Sequence, residues 1–147
     1  MANAPILYVE DNPDDVEITL LAFGESKLAN EIVVARDGEE ALSYLFAEGV
    51  YSERGPEAFP ALMLLDLKLP KIDGLEVLRR VRADKRTRLM PVVILTSSRE
   101  EQDIIESYEL GANSYVRKPV DFEKLVEAVT QLQIYWLMLN ELPPRRV

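Results

Sequence analysis

Five short runs in this chain are apolar at nearly every position: Ile6-Leu7-Tyr8-Val9, Ile32-Val33-Val34-Ala35, Ala61-Leu62-Met63-Leu64-Leu65, Pro91-Val92-Val93-Ile94-Leu95 and Ser114-Tyr115-Val116. A strand with one wet face alternates polar and apolar residues, so runs without alternation indicate strands covered on both faces. Helically spaced segments lie between them. The two patterns together predict an α/β fold, with a parallel sheet held between helical layers.

The helices carry their own start and stop signals. Asn12 is placed to cap the first helix and Pro13 suits its first position, with Val16, Leu20 and Phe23 on one face. The second begins near Glu39 and carries Ala41, Leu42 and Leu45. The third follows Asp73-Gly74, with Leu75, Leu78 and Val81 inward and Arg79, Arg80 and Arg82 toward solvent. In the fourth, Ser98 and Glu101 have the spacing of a capping box and Gly111 marks the end, while the fifth starts after Asp121. Residues 49–60, rich in Gly, Pro and polar side chains, are the longest expected loop.

Composition narrows the function. The chain has 147 residues, the size of one domain, so residues 1–147 are expected to form a single unit. It has 26 acidic against 17 basic residues, a net charge of −9, and such a field repels nucleic-acid phosphates and anionic lipids. There is no cysteine for a disulfide or thiolate site, and no histidine to act as general base or phosphoryl carrier. The N-terminus lacks a signal-peptide pattern and no apolar run approaches a membrane span, so a soluble cytoplasmic protein is expected.

In open α/β sheets the ligand site lies beyond the carboxyl ends of the strands. At those positions stand Glu10 and Asp11 after the first run, Asp66 after the third, Thr96 after the fourth, and Lys118 with Pro119 after the fifth. Three carboxylates gathered there require positive charge, which a hard cation such as Mg²⁺ supplies through oxygen ligands. Lys118 adds a fixed cation and Thr96 a hydroxyl donor. That set matches the needs of phosphoryl transfer, namely charge neutralisation and positioning, with Asp66 as nucleophile. Singly, each residue reads equally well as a turn, cap or solvated side chain; their coincidence at the strand ends selects the functional reading.

These residues identify a resemblance. Val9-Glu10-Asp11-Asn12, Leu64-Leu65-Asp66-Leu67 with Leu69-Pro70 and Asp73-Gly74, Val93-Ile94-Leu95-Thr96, Gly111-Ala112 and Lys118-Pro119, in this order, resemble the receiver domain of two-component response regulators over residues 6–129. Asp11-Asn12-Pro13-Asp14-Asp15, Leu110-Gly111-Ala112-Asn113-Ser114-Tyr115 and Tyr135-Trp136-Leu137 look more narrowly like the stand-alone regulators of bacterial phytochrome-type histidine kinases. The resemblance implies a flavodoxin-like (βα)5 sheet of order 2-1-3-4-5. It implies Asp66 as phosphoacceptor, and Mg²⁺ or Mn²⁺ held by Glu10, Asp11, Asp66 and the backbone carbonyl of Lys68. It also implies Lys118 on the phosphoryl oxygens, a cis peptide bond before Pro119, and Thr96 with Tyr115 as the switch pair. The partner implied is a sensor histidine kinase, and no enzymatic turnover beyond slow self-dephosphorylation is implied.

The last helix outruns the fold. Phe122, Leu125, Val129, Leu132, Trp136 and Leu139 form a seam, and residues 134–139 are apolar on every side. Residues 134–147 are therefore expected to be a helical extension and tail, ending in Pro143-Pro144 and too short a basic pair, Arg145-Arg146, to hold nucleic acid. The extension, with the fourth helix and fifth strand, is expected to make a homodimer; folding back over its own domain is the alternative. The short remainder after the match leaves no room for an output domain, so signal is expected to leave by protein contact. Rival functions are weaker. A Mg²⁺-dependent phosphate-ester hydrolase commonly has a second acid where Lys68 stands, a degenerate scaffold would have lost the acidic pocket, and a flavin carrier would show a phosphate loop after the first strand.

Overall fold

A computed structural model describes residues 4–144. Five parallel strands, β1 (Ile6–Val9), β2 (Ile32–Ala35), β3 (Leu62–Leu65), β4 (Val92–Thr96) and β5 (Ser114–Arg117), lie in the order β2-β1-β3-β4-β5. Five α-helices alternate with them: α1 (Pro13–Glu25), α2 (Gly38–Leu45), α3 (Gly74–Ala83), α4 (Glu101–Glu109) and α5 (Phe122–Gln133). Among the described residues no helix is long and apolar enough to cross a membrane.

The unbroken apolar runs have the cause expected of them. Alternate residues of one strand enter two separate cores: Leu7, Val9, Met63, Leu65, Val92 and Ile94 pack with α2 and α3, whereas Ile6, Tyr8, Leu62, Leu64, Val93 and Leu95 pack with α1 and α5. The edge strands β2 and β5 are only half-buried.

Four helices are capped by Asx side chains. Asn12 accepts from the amides of Asp14 and Asp15, and Asp37, Asp73 and Asp121 cap α2, α3 and α5 in the same way. Helix α4 departs from the expected capping box. The Ser98 hydroxyl is taken by Asp103 at 2.5 Å, so the helix starts from Glu100 without a side-chain cap. Helix α1 also differs, since Leu20 is exposed and Thr19 is buried in its place. The buried Tyr8 phenol needs a partner and donates to Thr19 Oγ1 at 3.1 Å, which fixes that face inward.

Arg82 is not the solvent residue its neighbours Arg79 and Arg80 are. Its guanidinium donates to the carbonyls of Gly111, Arg88 and Met90 and to Asn113 Oδ1, at 2.8–3.0 Å. It thus ties the end of α3 to the segments entering β4 and β5, and burial pushes its pKa below the ordinary value. Charged donors held by carbonyls contribute more than neutral ones. We expect Arg82→Ala to cost about 2–4 kcal/mol, measured as a lower urea midpoint with unchanged slope. A loss under about 0.5 kcal/mol, the surface-substitution range, would reduce the clamp to a surface contact.

The long loop is built rather than loose. It contains two 3₁₀ turns, Gly49–Tyr51 and Pro56–Ala58, and Arg54 donates to the carbonyls of Tyr44 and Leu45 at the end of α2 and to that of Gly55. Beyond Gln133 the chain continues as a π-helical turn, Ile134–Leu139, which changes the residue period and breaks the expected seam. Leu125 and Val129 are buried and Leu132 and Trp136 half-buried, but Phe122 and Leu139 are exposed. Arg145 and Arg146 lie outside the described residues.

Candidate functional site

Strand register brings the predicted residues together. Val9 lies beside Leu65 and Leu65 beside Ile94, so the chain leaves β1, β3 and β4 at one edge. This is where strand order reverses, since β2 lies on one side of β1 and β3 on the other. The Asp66 amide donates to the Val9 carbonyl at 3.1 Å, which sets Asp66 beside Glu10; the Lys118 amide donates to the Thr96 carbonyl at 2.8 Å. Thr96 is the last residue of β4 rather than the first beyond it.

Asp66 is 6% exposed and held from several directions. Its Oδ1 accepts from the Leu67 amide and the Thr96 hydroxyl, both at 2.7 Å, and its Oδ2 accepts from Lys118 Nζ at 3.0 Å. Glu10 accepts from the Asn12 amide at 3.2 Å and from Lys118. The same ammonium reaches Asp15 at 3.1 Å. Asp11 is exposed at the mouth, where it lines a cavity of about 400 Å³ with Lys68, Asp73 and Asp103. The Lys68 ammonium stands 3.8 Å from Asp103 across that cavity.

Charge and burial act in opposite senses here. Burial pushes the Asp66 carboxyl up, but Lys118, Glu10 and Thr96 together hold it below the ordinary carboxylate value. Glu10 goes the other way, pushed up to about 7, mainly by burial and then by the Asp66 charge, although Lys118 opposes the rise. Lys118 itself is raised, because Glu10 and Asp66 outweigh its own burial.

These observations test the fit of a cation. Glu10, Asp15 and Asp66 face one ammonium, Asp11 lines the cavity at the mouth, and all four are oxygen donors. A hard divalent ion suits such a set. Among the described residues no three acids already stand in ligating proximity, and Glu10 and Asp66 both hold the Lys118 ammonium.

Tyr115 lies on β5, half-buried, and its hydroxyl donates to the Ser98 carbonyl at 3.2 Å. The Ser98 amide in turn lies 3.4 Å from Thr96 Oγ1, so one residue links the two side chains. The peptide bond between Lys118 and Pro119 is trans, against the implied cis bond. Trans is favoured by about 0.5–1 kcal/mol before proline, and Lys118 reaches both buried carboxylates without the cis turn. In the sequence Asp15 stands only as part of the Asp11-Asn12-Pro13-Asp14-Asp15 run, and nothing there marks it as the partner of a lysine so distant along the chain.

The comparisons agree with this geometry. The model of the response regulator receiver domain matches residues 6–130. Response regulator Rcp1 of Synechocystis is 38% identical over 94% of this chain and 92% of its own length. Its Mn²⁺-bound crystal structure superposes with a TM-score of 0.85, at 36% identity over 96% of this chain and 99% of that one. The phosphorylated cyanobacterial phytochrome response regulator RcpA gives a TM-score of 0.88 at 39% identity, covering 97% and 99% of the two chains. The bacteriophytochrome response regulator AtBRR is 57% identical, with a TM-score of 0.76 and coverage of 95% and 99%. With the sheet order, the acidic strand ends and a family match over most of its length in agreement, this chain belongs to the response regulator receiver domains.

Proposed function

We propose that this chain is a phosphorelay switch with Asp66 as its acceptor. An Asp66 carboxylate oxygen attacks the phosphorus of a phosphohistidine on a sensor histidine kinase. A P–O bond forms as the P–N bond breaks, and the departing imidazole takes up a proton. None of the 147 residues is a histidine, so none of them supplies that group. One observation carries the reading: Thr96, Lys118 and the Leu67 amide converge on a single buried carboxylate that Lys118 helps to keep ionised.

Glu10, Asp11, Asp66 and the backbone carbonyl of Lys68 would hold Mg²⁺ or Mn²⁺, which would neutralise the carboxylates and the oxygens of the transferring group. Lys118 supplies the fixed cation beside the acceptor, and the amide and hydroxyl on Asp66 Oδ1 orient it. Beyond slow self-dephosphorylation no turnover is proposed. Similarity to phytochrome response regulators supports a kinase of phytochrome type. The test is phosphotransfer from a panel of such kinases, where rapid labelling by one supports the assignment and labelling by none opposes it.

Thr96 and Tyr115 form the proposed switch, biased by the phosphoryl group toward one population. The link through Ser98 supports it. The proposed readout is a homodimer through α4, β5, α5 and the extension from residue 134. Exposed Ile105 and Tyr108 on α4, and Tyr135, Met138 and Leu139 on the extension, support that surface. We expect Tyr115→Ala to keep phosphoryl uptake while weakening self-association about tenfold. Labelling and sedimentation read the two effects, and an unchanged dimer would remove Tyr115 from the switch.

A further inference from the structure

The Lys118 ammonium has three N–H bonds and three carboxylate partners: Glu10, Asp66 at 3.0 Å and Asp15 at 3.1 Å. It is saturated. The three partners differ in what surrounds them. The Glu10 and Asp66 side chains are 1% and 8% exposed and follow neighbouring strands, whereas Asp15 is 43% exposed in the first turn of α1.

On transfer one Asp66 oxygen forms the P–O bond and the free carboxylate is lost, so the N–H that Asp66 held passes to a phosphoryl oxygen. Glu10 and Asp15 are left to compete with the remaining phosphoryl oxygens for the other two. A buried carboxylate left without its cation is strongly disfavoured, while an exposed one returns to water at small cost. Asp15 is also supported by the positive end of the α1 dipole once released.

We propose that Asp15 is a positioning residue for Lys118. It holds the third N–H in the resting state and yields it to a phosphoryl oxygen on transfer. This rests on the reading of Asp66 as acceptor. It assigns Asp15 the part of a competitor, so its removal favours the phosphorylated arrangement. A merely structural support has the opposite sign, since its loss would leave Lys118 less well held and weaken the site.

The test is calorimetric titration of the full chain with beryllofluoride at saturating Mg²⁺, for wild type, Asp15→Asn and Asp14→Asn. Asp14 lies in the same helical turn, is exposed, and makes no bond to Lys118, so its variant carries the same change in formal charge. Asp15→Asn is expected to bind roughly fivefold tighter, the scale of one partly exposed ion pair. Asp14→Asn is expected to stay within about twofold of wild type, as screening of exposed charge requires. Unchanged or weaker binding by Asp15→Asn, or an equal gain in Asp14→Asn, overturns the proposal while wild-type uptake leaves the acceptor reading standing. No uptake by the wild type would overturn the acceptor reading and this inference with it.

Discussion

Asp66→Asn is expected to take up no phosphoryl group from a phosphohistidine donor, with labelling falling at least about a hundredfold, as befits loss of the nucleophile itself. The amide has no anionic oxygen to attack phosphorus. The fold should survive, because asparagine has the same shape and its Oδ1 can still accept from the Leu67 amide and the Thr96 hydroxyl. One fewer acid also competes for Lys118. Thermal unfolding should therefore stay within about 1 kcal/mol of wild type, so that lost labelling reports chemistry rather than stability. Labelling of the asparagine protein at the wild-type rate would place the acceptor elsewhere.

Gly74→Ala is expected to unfold the site from behind. A Cβ at Gly74 would stand 2.3 Å from the Asp66 carbonyl oxygen and 2.6 Å from Leu67 Cα, both backbone atoms that cannot rotate aside. The Gly74 amide also donates to the Leu67 carbonyl at 2.9 Å, which packs α3 directly against the segment that follows Asp66. Either the helix or the loop must shift, at a cost of about 3 kcal/mol or more, the upper range of overpacking. Any shift moves the Asp66 carboxylate away from Thr96 and Lys118, and a misplacement of about 1 Å can lower transfer a hundredfold. Urea unfolding and transfer kinetics measure the two effects. Gly24→Ala is the control, since a Cβ there meets nothing within 4 Å on α1 and should be neutral or stabilising. Equal behaviour of the two variants would refute the close-packing account.

The strands were legible because their burial on both faces leaves an unbroken apolar signature, and the pocket around Asp66 was legible because parallel topology brings strand ends to one edge. Glu10, Asp66, Thr96 and Lys118 accordingly meet where the sequence predicts. What escaped are residues whose role depends on a partner distant in sequence. Arg82 reads as one of three solvated arginines, yet its acceptors come from the segments leading into β4 and β5. Ser98 reads as a helix cap until Asp103 claims its hydroxyl. Leu20 reads as an inward residue of the first helix until the Tyr8 phenol claims Thr19 instead. Arg54 likewise orders a segment whose composition suggests only a loop, because three carbonyls wait at the end of α2 and beside it. The end of α5 escaped for a different reason, since a shift from α to π winding alters the period on which any seam is drawn.

Borohydride trapping tests the acceptor claim most directly. An acyl phosphate on an aspartate is reduced to homoserine, and peptide mass spectrometry then locates the altered residue. After incubation with a phosphorylated kinase and Mg²⁺, homoserine should appear at position 66 and at no other acid of the pocket. Homoserine at Glu10's neighbour Asp11 or at Asp15, with Asp66 intact, would contradict the account.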